Sequence, residues 1–248
     1  MPDLQTSALL FLTGCVSWTI STFAGGGGSI VLLATVTHLI RVKSVAPVVT
    51  IASLIASPTR IVVSWERIEW RVVRWYLPGA ILGAMLGGWI FSLANAAWLN
   101  LIVGLFLIST PFQYRFGERE RSFSMRLPWF IPLSLSVGLV SGIVGASSLI
   151  SVPFYLNYGL TKERMIATAS VHSLFIQLTK IAAYGYFGAL SVRSELEGVV
   201  AGLGAIVAIL GTRRWLEIFR EAWFRRLAIV LMLTSGLSML WQSRRLLF

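Results

Sequence analysis

Ser53-Leu54-Ile55-Ala56-Ser57-Pro58-Thr59-Arg60-Ile61 and Ser173-Leu174-Phe175-Ile176-Gln177-Leu178-Thr179-Lys180-Ile181 are two versions of one stretch, 120 residues apart. Five of the nine positions agree once Arg60 and Lys180 are counted as equivalent cations. Each cation lies inside a long apolar run. A charge at bilayer depth costs about 3 kcal/mol on insertion scales, so an unpaired one needs a reason. Two of them in matching places predict a duplicated architecture with a site for something negative.

The composition around the pair is that of a membrane protein. The 248 residues are 56% hydrophobic and only 12% charged, with a mean hydropathy of +0.78. A soluble domain would carry about a quarter charged residues. Apolar segments are read at 7–24, 29–40, 45–64, 75–93, 97–113, 128–144, 148–159, 166–188, 198–212 and 227–243. Strand-like alternation over about 10 residues, the mark of an outer-membrane barrel, is absent. The net charge of +11 would suggest nucleic acid in a soluble chain. Here the basic residues fall mostly in short loops, where they encode topology, so nucleic acid is not expected as a partner.

The segments 29–40 and 148–159 are too short to span, since twelve helical residues rise about 18 Å against about 30 Å of hydrocarbon. Each follows a break, Gly25-Gly26-Gly27-Gly28 in one half and Gly145-Ala146-Ser147-Ser148 in the other. Each half then holds a broken or re-entrant helix pair and three spanning helices. With that parity, 14 basic residues fall on one side, from Arg67 to Arg226, and 5 on the other, namely Arg41, Lys43, Arg193, Arg244 and Arg245. The richer side is expected to be cytoplasmic, which puts both termini outside. The loop at 41–44 is then external and its counterpart at 160–165 internal. The expected fold is therefore an all-α polytopic membrane protein of two inverted repeats. Residues 1–113 form the first repeat, 114–127 a cytoplasmic connecting loop and 128–248 the second repeat.

The candidate substrate-binding residues begin with Gly25, Gly26, Gly27, Gly28 and Ser29. Glycine leaves backbone N–H groups open to a ligand, and a half-helix starting there turns its positive end into the membrane interior. The alternative is that these glycines only permit close helix packing. Gly145, Ala146, Ser147 and Ser148 are the matching set. Arg60 and Lys180 either snorkel to headgroups or attract an anion, and inverted placement puts them near opposite mouths. Ser53 and Ser173 lie two turns before the cations on nearly the same face, and Ser57 and Gln177 are similar cases. His172 is a candidate to accept a coupling proton, or a neutral packed histidine. His38 is a weaker case.

The ten acidic residues are read as lying in loops or tails, so no intramembrane carboxylate is expected. Cations without carboxylates imply an anionic cargo. No P-loop, paired catalytic carboxylates or HExxH pattern is present, and neither enzyme activity, metal nor cofactor is expected. Cys15 is the single cysteine. Leu12-Thr13-Gly14-Cys15 has the form of a lipoprotein cleavage box, but no Lys or Arg precedes it, and a buried helix cysteine is expected instead.

Ala24-Gly25-Gly26-Gly27-Gly28-Ser29, its counterpart in Gly142-Ile143-Val144-Gly145-Ala146-Ser147-Ser148, and the starts Ala46-Pro47-Val48-Val49-Thr50 and Ala167-Thr168-Ala169-Ser170 form a pattern. The small-residue helix Gly79-Ala80-Ile81-Leu82-Gly83-Ala84-Met85-Leu86-Gly87-Gly88 completes it. Over nearly the whole chain this resembles the TauE/SafE family of sulfite exporters and sulfonate permeases. The resemblance implies a multi-pass protein of the prokaryotic inner membrane that moves sulfite, sulfonates or related organic anions. Here the second glycine motif is reduced to Gly-Ala-Ser-Ser, and the usual Gly-Thr-Ser after the first helix alanine is absent. The expected function is a secondary transporter working by alternating access. A passive anion channel and a non-transporting membrane assembly factor are the alternatives. The expected partners are a small sulfur-containing anion and the lipid bilayer, with a homodimer left open.

Overall fold

Several long helices begin a few residues before their apolar runs. In the computed structural model, which describes residues 4–23, 27–117, 123–146, 150–212 and 221–247, the elements are helical throughout. They are α1 (Leu4–Phe23), α2 (Gly28–Val36), α3 (Val42–Val63), α4 (Trp70–Leu93), α5 (Ala96–Gly117), α6 (Phe130–Val144), α7 (Val152–Tyr158), α8 (Lys162–Tyr186), α9 (Val192–Thr212) and α10 (Glu221–Leu247). Thr161 caps α8 by accepting from the Arg164 N–H. Ser191 and Ser194 exchange side-chain-to-backbone bonds at 3.1 and 3.2 Å, a reciprocal cap that starts α9 well before its apolar part.

That early start corrects one sequence expectation. Glu197 falls inside α9 and is 1% exposed, paired to Arg193 at 2.9 Å. A carboxylate is thus buried at one end of a spanning helix rather than left in a loop.

Among the described residues six helices are long and apolar enough to cross a membrane: α1, α3, α4, α6 with the 3-10 turn before it, α8 and α9. The segments read at 97–113 and 227–243 lie within the 22-residue α5 and the 27-residue α10. The two short elements are as short as expected. α2 has nine residues and α7 seven.

Packing follows from small residues. Gly79, Gly83 and Gly87 recur at every fourth position of α4, on one face. A Cβ on any of them would strike the backbone carbonyl of Ile131, Leu135 or Leu139 on α6, while Gly138 and Gly142 of α6 sit equally close to the α4 backbone. Helices in lipid associate through such close approaches. α1 packs on α9 in the same way, and α3 lies against both α8 and α9. α5 pairs with α10. The opposite face of α4 carries exposed Leu82, Met85, Leu86 and Trp89, and α9 carries exposed Leu203, Val207 and Leu210. Apolar surface of this extent belongs against acyl chains. Trp65, Trp70 and Trp75 are exposed beside Arg67, Arg71 and Arg74 at the α3–α4 turn, a composition suited to the headgroup level.

α2 occupies the centre. Ile30, Val31, Leu32, Leu33, Ala34 and Val36 all have no exposed surface. A helix that is apolar on every side must be enclosed on every side, and α1, α3 and α10 enclose it.

Candidate functional site

Arg60 is delivered by the face of α3 that also carries Ser53, Ala56 and Ser57, at helical spacings of three and four. Pro58, one turn later than Leu54, cannot donate to its carbonyl, which loosens the turn before Arg60. This face lines a cavity of about 80 Å³ together with Trp18, the Gly27-Gly28-Ser29 turn, Tyr155 of α7 and the Met165–Ser173 face of α8. Gly27 stands at φ 86°, in the left-handed region, and its carbonyl accepts from the N–H groups of Ile30 and Val31. This geometry starts α2 at the cavity wall. The positive end of the α2 dipole and the Arg60 guanidinium thus face one space. Arg60 donates to Ser21 Oγ at 2.9 Å. Among the described residues that is its hydrogen-bond partner, so further N–H groups of the guanidinium's five remain for a ligand. Ser57 Oγ donates to the Ser53 carbonyl at 2.7 Å and lies 3.4 Å from Ser173 Oγ. Ser53 Oγ is buried with no partner among the described residues.

A second chamber of about 50 Å³ adjoins the first, sharing Ser29, Tyr155, Ala169 and Ser173 as walls. Its aromatic side is a set of stacked and hydrogen-bonded rings. The Tyr76 hydroxyl is 3.0 Å from Ser151 Oγ, and the Tyr155 hydroxyl is 2.6 Å from His172 Nδ1. The Tyr76 ring stacks on His172 with centroids 3.9 Å apart. His172 Nε2 and Gln177 Oε1, on the chamber's lining residues, have no partner among the described residues. Among the described residues no carboxylate lines either space.

Lys180 lines neither space, although it reaches Ser141 in the wall of the second. It has no exposed surface, and its Nζ donates to the Gly145 carbonyl at 2.8 Å and approaches Ser141 Oγ at 3.3 Å. The Tyr184 hydroxyl, one turn on, donates to the Gly142 carbonyl. Two α8 side chains therefore satisfy carbonyls left open where α6 ends at Gly145, whose φ is 96°. The expectation of a cation near an outer mouth does not describe Lys180, because the negative end of α6 holds it inside.

Of the residues proposed from sequence, the structure gathers Arg60, Gly27, Gly28, Ser29, Ser53 and Ser173 around the first cavity. His172 joins Ser29 and Ser173 at the second. Gly145, bound by Lys180, lines neither, and Ala146 is packed in the core around α2. Gly25, Gly26, Ser147 and Ser148 lie outside the described residues. Sequence reasoning missed Trp18, Tyr76, Tyr155, Ser21 and Ser141. One signal was present: Ser21 and Ser141 also stand 120 residues apart, and each bonds the cation of its own half.

Among the described residues no group of three His, Cys, Asp or Glu side chains is placed to hold a metal ion. No curated protein and no solved structure matches the chain. The family model described as sulfite exporter TauE/SafE matches residues 10–239, nearly the full length. The chain, a multi-pass and transporter-like membrane protein, belongs to the sulfite exporter TauE/SafE family.

Proposed function

We propose that the protein is a secondary transporter for a small organosulfur or sulfur oxyanion, such as sulfite or a sulfonate, at the prokaryotic inner membrane. The observation that carries this reading is the cavity where Arg60 and the first turn of α2 meet without a carboxylate. A single water needs about 10–15 Å³ of such space, so this cavity suits an anion of a few heavy atoms with some water retained. Guanidinium and helix N-termini both favour oxyanions. Family membership supplies the sulfur, which the cavity alone does not specify.

Alternating access between two inverted repeats is the proposed mechanism. The helix pairing supports it. α4 packs on α6 as α9 packs on α1, and α3 meets α9 as α8 meets α4. An exchange of α1–α5 with α6–α10 would produce this pattern. The unequal cations support it too. In this state Arg60 lines a cavity while Lys180 is enclosed. On our reading the halves trade conformations when access switches, so that Lys180 leaves Gly145 for the opposite cavity as Arg60 is covered. The arginine-rich loops mark the cytoplasmic side, placing both termini outside.

Counterflow in proteoliposomes tests this. Preloaded unlabelled sulfite or sulfonate should accelerate entry of labelled sulfite, and Arg60→Ala should suppress that entry. Conductance far above carrier rates would point instead to a channel. Absence of movement for every sulfur oxyanion would point to a non-transporting assembly factor.

A further inference from the structure

The inner chamber contains a group for which anion attraction has no use. His172 is 2% exposed, stacked on Tyr76 and bonded through Nδ1 to Tyr155, yet its Nε2 has no partner among the described residues. The other histidine is a useful contrast. His38 Nε2 lies 3.0 Å from Ser235 Oγ, and that hydroxyl donates to the Ala34 carbonyl at 2.8 Å. His38 is exposed and its Nε2 has a protein partner. Leaving a buried polar atom unpaired costs about 1–3 kcal/mol. An orphan nitrogen on a residue lining a chamber that joins the Arg60 cavity indicates a partner that comes and goes.

We infer that His172 Nε2 is the proton-binding site of the transport cycle, taking up one proton together with the anion. This rests on the transporter reading above. With Nδ1–H donating to the Tyr155 oxygen, Nε2 carries the lone pair. A proton from the water-accessible side adds there. Both ring nitrogens then donate, Nδ1 still to Tyr155 and Nε2 to an oxygen of the anion. On the far side the proton leaves Nε2 and the anion departs, with no bond of the substrate altered.

The surroundings explain why the two ligands would travel together. The titratable groups facing the ring are Tyr76 from α4 and Tyr155 from α7. In the chamber α6 supplies Val137 and Ser141, α2 supplies Ser29 and α3 supplies nothing. Lys180, two turns along α8, is engaged by Gly145 and Ser141. A lone imidazolium here has no counter-ion, and a buried unpaired charge is costly. An oxyanion in the chamber is that counter-ion, and an imidazolium is in turn its cation. Each ligand thus favours the other, and by linkage the coupling is reciprocal.

Calorimetry on the full-length protein in lipid nanodiscs separates the possibilities. Methanesulfonate and sulfite are titrated across a pH series in buffers of differing ionisation enthalpy. Methanesulfonate keeps its charge throughout, so its pH dependence belongs to the protein. Wild type should take up about one proton per anion, with affinity falling about tenfold per pH unit on the alkaline limb. His172→Gln should bind the anion more weakly and show neither proton uptake nor slope, and His38→Gln should match wild type. Tyr155→Phe, which keeps the imidazole, should retain proton uptake with a displaced midpoint. Zero proton uptake by wild type, or an unchanged slope in His172→Gln, overturns the inference while anion exchange leaves the transporter reading standing. If wild type neither binds nor exchanges either anion, the transporter reading falls and the inference with it.

Discussion

Arg60 and Lys180 occupy equivalent places in the sequence and opposite situations in the molecule. Both bond a serine of the first long helix of their own half, Ser21 and Ser141. Arg60 stops there and turns the rest of its donors to a cavity. Lys180 also takes the Gly145 carbonyl, with Tyr184 closing on Gly142 beside it. The difference lies in the backbone that each cation meets. The first break presents the start of α2, whose N–H groups repel a cation and attract an anion. The second presents the end of α6, whose carbonyls attract a cation outright. A repeated sequence thus yields one cation that lines a cavity and one enclosed against its own backbone.

The comparison can be broken most severely at Lys180. Lys180→Ala leaves the Gly145 carbonyl and Ser141 without their donor in a fully enclosed place, and should lower stability by about 3 kcal/mol. Thermal unfolding in detergent would read this as a large drop in midpoint and yield. Arg60→Ala should behave differently. Sulfite affinity should weaken by about thirtyfold, the scale of a lost charge-assisted hydrogen bond, with little change in the unfolding midpoint. An equal thermal loss in the two variants would erase the distinction between them. Tyr184→Phe removes a neutral donor from the Lys180 side only and should cost about 1 kcal/mol, measured as the same unfolding shift on a smaller scale. Ser21→Ala should be smallest, under about 1 kcal/mol in stability, with a few-fold change in anion affinity as Arg60 loses its anchor. A larger effect of Ser21→Ala than of Arg60→Ala would mean that the serine, and not the cation, holds the ligand.

Much of the fold was legible because bilayer physics writes it into composition. The short elements at 29–40 and 148–159 became α2 and α7, and the glycine break and Arg60 met at one cavity as two separately read signals. The chamber aromatics were not legible. Tyr76 and Tyr155 each look like any packing residue until tertiary structure stacks one on His172 and bonds the other to it. Glu197 was misread because the apolar run begins at 198, whereas the helix begins at a serine cap. Hydropathy sees burial of side chains and is blind to capping. Lys180 was misplaced for a related reason. Its partner is a backbone carbonyl, and a backbone carbonyl exists at every position of the sequence.

The glycine seam between α4 and α6 has a mechanical consequence. Most packed helices interlock through side chains that act as teeth, and sliding one past the other means lifting each tooth from its socket. Gly83 lies against Gly138, and Gly87 against Gly142, with no teeth at those points. Gly14 and Gly204 give the α1–α9 contact the same smoothness. Each seam joins a helix of the first half to one of the second. The two halves therefore meet along seams of backbone against backbone, which is where a sliding motion under alternating access would be sought.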